Sequence, residues 1–295
     1  MLIGELAALG AALVWSVSSL IIKPISTKFS PLSINSIAVS AGWVILTIIL
    51  VPWGKLNGLS FTSWHSIAYV IGSGIIGVAI GNTLEIKALS LLDISRVCPV
   101  TYSSWFLFTA VIAAIFLGEP ITYHTMLGAF FIVIGVTLLS GFSKVKGKEK
   151  IINTNEVKGI IFALISGLCW AGGTNLLKLG LYEINPLVLN VIRLPFIILP
   201  LVISTSIREG VPEYSRYNPK DVVKIGIAGF LDYALGGILF FTSVHLAGAI
   251  KATILSSTSP LFIAPLSVIF LKEKLTKQVI LGIITCSFGM LLTIL

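Results

Sequence analysis

Apolar residues run along this chain in ten long stretches: 4–23, 32–53, 65–90, 94–117, 123–142, 157–181, 186–208, 221–246, 249–271 and 276–295. A helix needs about 20 mostly apolar residues to cross the hydrocarbon core of a bilayer. Most stretches reach that length, several carry a single polar residue, and glycine recurs throughout, as in packed membrane helices. A barrel would need short alternating strands, and these runs are too long and continuous for that. Only helices then keep the backbone hydrogen-bonded in lipid. The pattern predicts an all-α integral membrane protein of ten transmembrane helices. The longest polar stretches are 143–156, rich in lysine, and 209–220, with Pro212 and Pro219.

The pattern repeats. The segment LVWSVSSLIIKPISTKFSPLSIN aligns without a gap on LCWAGGTNLLKLGLYEINPLVLN, placing Trp15 on Trp170, Lys23 on Lys178, Pro31 on Pro186 and Asn35 on Asn190. Further on, FLGEPITYHTMLGAFFIVIGVTLL aligns on FLKEKLTKQVILGIITCSFGMLLT, matching Glu119 with Glu273, Gly128 with Gly282 and Gly135 with Gly289. The chain therefore reads as a repeat over 1–142, a Lys-rich linker over 143–156 and a second repeat over 157–295. Each repeat holds five spans, an odd number, so each ends on the face opposite to its start. The second copy is expected upside-down relative to the first, with a site near the midplane between them.

Composition agrees with the bilayer. Hydrophobic residues make up 56% of the 295 and charged ones 11%, with a mean hydropathy of +1.03, whereas soluble domains carry roughly 25% charge. A net charge of +8 would suggest nucleic acid in a soluble protein, but the basic residues sit between apolar runs and no nucleic-acid partner is expected. Sixteen of the 20 Lys and Arg fall on one face, against Lys55, Lys178 and Lys251 on the other and Arg193 within a span. The crowded face is expected in the cytoplasm together with the linker, and both termini outside the cell membrane. MLIGELAALGAALVW lacks the basic start of a signal peptide and reads as a retained first helix. Cys98, Cys169 and Cys286 have neither disulfide nor zinc spacing.

The W…K…P…N line of each half, the stretch GNTLEIKALSLLDISRVCPV and the LGEP and LKEK ends of helices four and nine are the residues by which the chain resembles the drug/metabolite transporter superfamily, specifically the EamA type. The resemblance covers nearly the whole chain. It implies a ten-helix, two-repeat fold and transport of small organic metabolites or xenobiotics, with export favoured. The family pattern often has Asp where this chain has Asn82. Many relatives hold their termini in the cytoplasm, and the charge tally here departs from them.

Candidate chemistry is sparse. Asp232 lies about 16 Å into its span at roughly 1.5 Å per residue, near mid-bilayer, where a carboxylate costs about 2.5–3.5 kcal/mol on insertion scales. Proton coupling or binding of a substrate amine stands beside a structural ion pair there. Arg193 sits at similar depth on the neighbouring helix. It could pair with Asp232, bind a substrate carboxylate or snorkel to the outer interface. Trp15 and Trp170 hold equivalent places beside Ser18, Ser19, Thr174 and Asn175, a composition that suits a pocket wall or plain packing. Asn82 and Glu85 share a helix face, and Glu85 reads as a solvated carboxylate near Lys87. The cluster TYSSW (101–105), with Tyr102 and Ser103, aligns on LSSTS (255–259), with Ser257 and Thr258, as solute ligands or as helix glue. Glu119 and Glu273 are expected to cap the start of the next helix or to gate. Lys23 and Lys178 are expected to snorkel or to mark entrances. No phosphate loop, catalytic triad or metal-binding helix is present, and no cofactor is expected.

The residues thus point to a secondary transporter working by alternating access on a small-molecule substrate, with protons or a second solute as coupling partner and the oligomeric state open. The competing class is an integral-membrane enzyme acting on lipid-linked substrates. That class needs clustered acids, bases or metal ligands at a membrane face, and the chain offers scattered singles.

Overall fold

The computed structural model describes residues 2–50, 63–117, 122–140, 154–181, 186–209 and 217–292. All regular structure among them is helical. The helices are α1 (Leu2–Ile22), α2 (Pro31–Leu50), α3 (Trp64–Leu91), α4 (Ile94–Leu117), α5 (Tyr123–Ser140), α6 (Thr154–Gly180), α7 (Pro186–Glu209), α8 (Pro219–Ala247), α9 (Ala249–Leu271) and α10 (Lys277–Leu292). Eight are long and apolar enough to cross a membrane, while α5 and α10 contribute shorter apolar helices, Met126–Leu139 and Lys277–Leu292. Large apolar side chains such as Ile3, Phe116, Phe130, Ile207 and Phe270 face outward, as a lipid-facing surface requires. Most of the Lys-rich linker and Glu119 lie outside the described residues.

The helix ends show which elements meet. Lys23, just past α1, donates from Nζ to the carbonyls of Leu89 (2.7 Å) and Leu92 (2.5 Å) at the end of α3. Gly159, in the second turn of α6, packs against Leu92, and Arg96 of α4 lies 3.7 Å from Glu156 of α6. The end of α1 and the start of α6 therefore share one face of the bundle. Gly4 at the start of α1 packs instead against Leu246 and Ala247 at the end of α8, with Glu5 bridged to Lys251 at 2.5 Å.

Packing between elements follows a pattern that survives exchange of the two halves. α6 packs on α3 and α4, and α1 packs on α8 and α9; α2 pairs with α7, and α5 with α10. Glycine lets the last pair approach closely. A Cβ on Gly135 would lie 2.9 Å from the Gly282 carbonyl, and one on Gly289 would lie 2.7 Å from the Gly128 carbonyl. Small residues at such crossings are how membrane helices gain contact without a hydrophobic drive from water.

Candidate functional site

α3 and α8 each contain a widened, π-helical stretch, Gly74–Asn82 and Phe230–Gly236. Widening a helix disturbs its bonding ladder, and the affected carbonyls need other donors. Asn35 of α2 donates from Nδ2 to the Val78 carbonyl at 2.9 Å, and Asn190 of α7 donates to the Tyr233 carbonyl at 2.7 Å. Asn35 and Asn190 are repeat mates, and Val78 and Tyr233 lie at the same constant spacing. Each widened stretch also seats an indole on a glycine. Trp170 lies over Gly81 and Trp15 over Gly236, and in either place a Cβ would strike the ring.

These stretches border a cavity lined by α1, α2, α3, α4, α6, α7 and α8. Its solvent-reachable space is about 130 Å³, room for several waters where one needs about 10–15 Å³. Aromatic rings form much of the wall. Trp105 stands between Trp15 and Trp170, with centroid separations of 5.9 and 5.5 Å, and Phe240 and Tyr102 extend the cluster. The Trp105 indole donates to the Thr174 hydroxyl at 3.0 Å.

A hydrogen-bonded chain crosses from one half to the other. Trp170 Nε1 donates to Asn82 Oδ1 (2.7 Å), Asn82 Nδ2 donates to the Tyr233 hydroxyl (2.8 Å), and Tyr233 donates to Asn35 Oδ1 (2.8 Å). Asn35 uses its amide protons on Val78 and Thr83, so its oxygen must accept from Tyr233. Asn82 then has to accept on one atom and donate from the other. An ionised carboxylate at position 82 could only accept, which gives a physical reason for asparagine here.

Two carboxyl side chains and one guanidinium line the same space: Glu85, Asp232 and Arg193. Asp232 is half-buried, its main-chain carbonyl accepting from Trp15 Nε1 at 3.3 Å. It makes no ion pair with Arg193. The guanidinium is buried, donates to Asn190 Oδ1 (3.0 Å) and Ser73 Oγ (3.2 Å), and stacks 4.6 Å over the Phe241 ring. Both the Arg193–Asp232 pair and snorkelling are therefore corrected: similar depth on two rods does not make two side chains face each other. Glu85 is corrected as well. It is only 8% exposed, lines the cavity and leaves Oε1 without a hydrogen-bond partner, while Lys87 points outward.

The structure gathers Asp232, Arg193, Trp15, Trp170, Ser19, Thr174, Asn82 and Tyr102 around this cavity. Asn175 turns to the Ala171 carbonyl, Ser257 donates to the Tyr102 carbonyl and Thr258 to the Leu255 carbonyl; with buried Ser103 they lie outside the lining. Glu273 does not cap the next helix. Its carboxylate accepts from the Ile94 and Ser95 N–H groups at the start of α4 (3.0 and 3.3 Å), where it also complements the helix dipole. Lys23 holds the other side of the same α3–α4 turn, and Lys178 is half-buried in the last turn of α6. Sequence reasoning missed Trp105, Tyr233, Asn190 and Ser73. Asn190 was already marked by its alignment on Asn35. No group of three His, Cys, Asp or Glu among the described residues could hold a metal.

A cavity of aromatic and polar side chains between apolar helices suits passage or binding of a small solute. The model of the EamA-like transporter family matches residues 2–141 and again 157–295. An uncharacterized transporter of Clostridium kluyveri is 24% identical over 259 residues, 88% of this chain and 82% of its own. Another, from Archaeoglobus fulgidus, is 24% identical over 76% of this chain and 74% of its own. A solved crystal structure shares the fold at a TM-score of 0.68 and 16% identity, covering 98% of this chain and 95% of that one. The chain belongs to the EamA-like transporter family and is a multi-pass membrane transporter.

Proposed function

We propose that this transporter is built from two five-helix repeats, 1–142 and 157–295, inserted in opposite senses. It moves a small organic solute across the cell membrane by alternating access through the cavity between them. The observation that carries this reading is the cavity itself: repeat mates from both halves wall it, Trp15 beside Gly236 and Trp170 beside Gly81. Opposite insertion is supported by α6 starting at the face where α1 ends. The exchange-invariant packing and the paired Asn35 and Asn190 bonds support the repeat. Such a fold places a solute site near the midplane and works by rocking one half against the other.

Direction is outward by family resemblance, and the driving force is a proton gradient acting through Asp232 or exchange for a second solute. Lys23 and Glu273 clamp the α3–α4 turn and serve as the gate on the linker side, which the positive residues place in the cytoplasm. The test is reconstitution into liposomes with a panel of amino acids, sugars, nucleotides and amines under an imposed pH gradient. Saturable, gradient-dependent flux of at least one solute class is expected. Flux equal to that of protein-free vesicles for every class, with correctly folded protein, overturns the proposal.

A further inference from the structure

The cavity's charges break the symmetry of its walls. At the positions repeat-related to Glu85, Asp232 and Arg193 stand Phe240, Gly77 and Ala38. Each of the three charges thus stands in one half only, opposite an uncharged residue in the other. The base is committed to Asn190, Ser73 and the Phe241 ring. Among the described residues neither acid forms an ion pair, and Glu85 Oε1 is buried with no hydrogen-bond partner. A carboxylate buried in this way is costly unless something positive or hydrogen-bonding joins it.

We propose that the cavity binds monovalent organic cations, amines or quaternary ammonium groups on an apolar body, with Glu85 and Asp232 as counter-charges and the indoles of Trp15, Trp105 and Trp170 as walls. The proposal rests on the transport reading of the same cavity and names its solute class. An ammonium group meets two carboxyls and gains attraction from the ring faces, which is the composition that recognises such cations elsewhere. A neutral solute offers Glu85 at most a hydrogen bond and leaves both acids without a counter-charge. An anionic solute meets two acids and a guanidinium already engaged by three groups.

The experiment is equilibrium dialysis of radiolabelled benzyltrimethylammonium against the purified protein in detergent, with competition by benzyl alcohol, phenylacetate and phenylalanine. Saturable binding of the cation is expected, about tenfold or more tighter than any of the three competitors. Glu85→Gln and Asp232→Asn should each weaken it about tenfold, equivalent to about 1.4 kcal/mol. The wild-type competition needs no variant, so a variant that fails to fold does not blunt the test. A competitor that binds as tightly as the cation, or a cation that does not bind, overturns the proposal. Flux in liposomes separates the two levels. A cation that binds without being moved refutes transport and keeps the site, whereas flux of neutral or anionic solutes with no cation binding refutes the site and keeps transport.

Discussion

Replacing Asp232 with asparagine is expected to lower pH-gradient-driven accumulation of solute in liposomes to the level of protein-free vesicles, with solute-for-solute exchange still measurable at raised solute concentration. Asp232 sits in the widened part of α8, half-buried and facing the cavity, with no ion-pair partner among the described residues. A carboxylate placed at such depth costs about 2.5–3.5 kcal/mol on insertion scales. The amide keeps the shape but cannot take up and release a proton. Loss of the driven flux with retained exchange therefore reports coupling, whereas loss of both reports a damaged path. Driven accumulation equal to that of the unaltered protein removes Asp232 from the coupling.

Asn190→Leu should be among the most damaging single changes away from the charges. The side chain is fully buried, donates to the Tyr233 carbonyl and accepts from Arg193 Nε. Leucine is close in size but leaves a buried carbonyl and a buried guanidinium each short of a partner. Hydrogen bonds to charged groups are worth about 1.5–3 kcal/mol and an orphaned neutral group about 1–3 kcal/mol. A loss of roughly 3 kcal/mol corresponds to a fall of roughly 6–12 °C in thermal midpoint for a domain of moderate size. Asn190→Asp keeps the acceptor for Arg193 and loses the donor, so its midpoint should fall between the two. Asn35→Leu, the matching change in the first half, strands the Val78 carbonyl and Tyr233 hydroxyl but no charge, and should cost less than Asn190→Leu. Melting curves in detergent followed by near-ultraviolet circular dichroism measure all three. An Asn190→Leu midpoint within about 1 °C of the unaltered protein would show that these bonds carry little of the packing.

Much of this fold is legible in the sequence because the bilayer forbids most alternatives. Apolar length marks helices, and the observed ends fall within a few residues of the apolar stretches, with α4 and α9 at 94–117 and 249–271 as read. The site is less legible. Depth along a helix can be counted from residue numbers, but the direction a side chain faces depends on how the helix is rotated and on widened turns that add a residue without a composition signal. Glu85 shows this: near the end of α3 by count, it is roofed by neighbouring helices and turned into the cavity. Arg193 and Asp232 match in depth by residue count, yet the guanidinium turns to Asn190, Ser73 and the Phe241 ring and the two do not pair. Glu273 shows a related limit, since its carboxylate bonds a helix start from the other half and not the next helix in sequence. Asn35 and Asn190 are legible as repeat markers, while their work on the Val78 and Tyr233 carbonyls depends on the widened stretches, which leave no pattern in the sequence.

The most direct test of opposed insertion labels two helix starts. Single cysteines at Ile3, at the start of α1, and at Thr154, at the start of α6, both exposed, would be placed in a background with Cys98, Cys169 and Cys286 replaced, then treated with an impermeant maleimide on intact cells. Position 3 should react from outside, and position 154 only after the cells are opened. Reaction of both positions from the same side would contradict the inverted pair and with it the shared cavity as a path through the membrane.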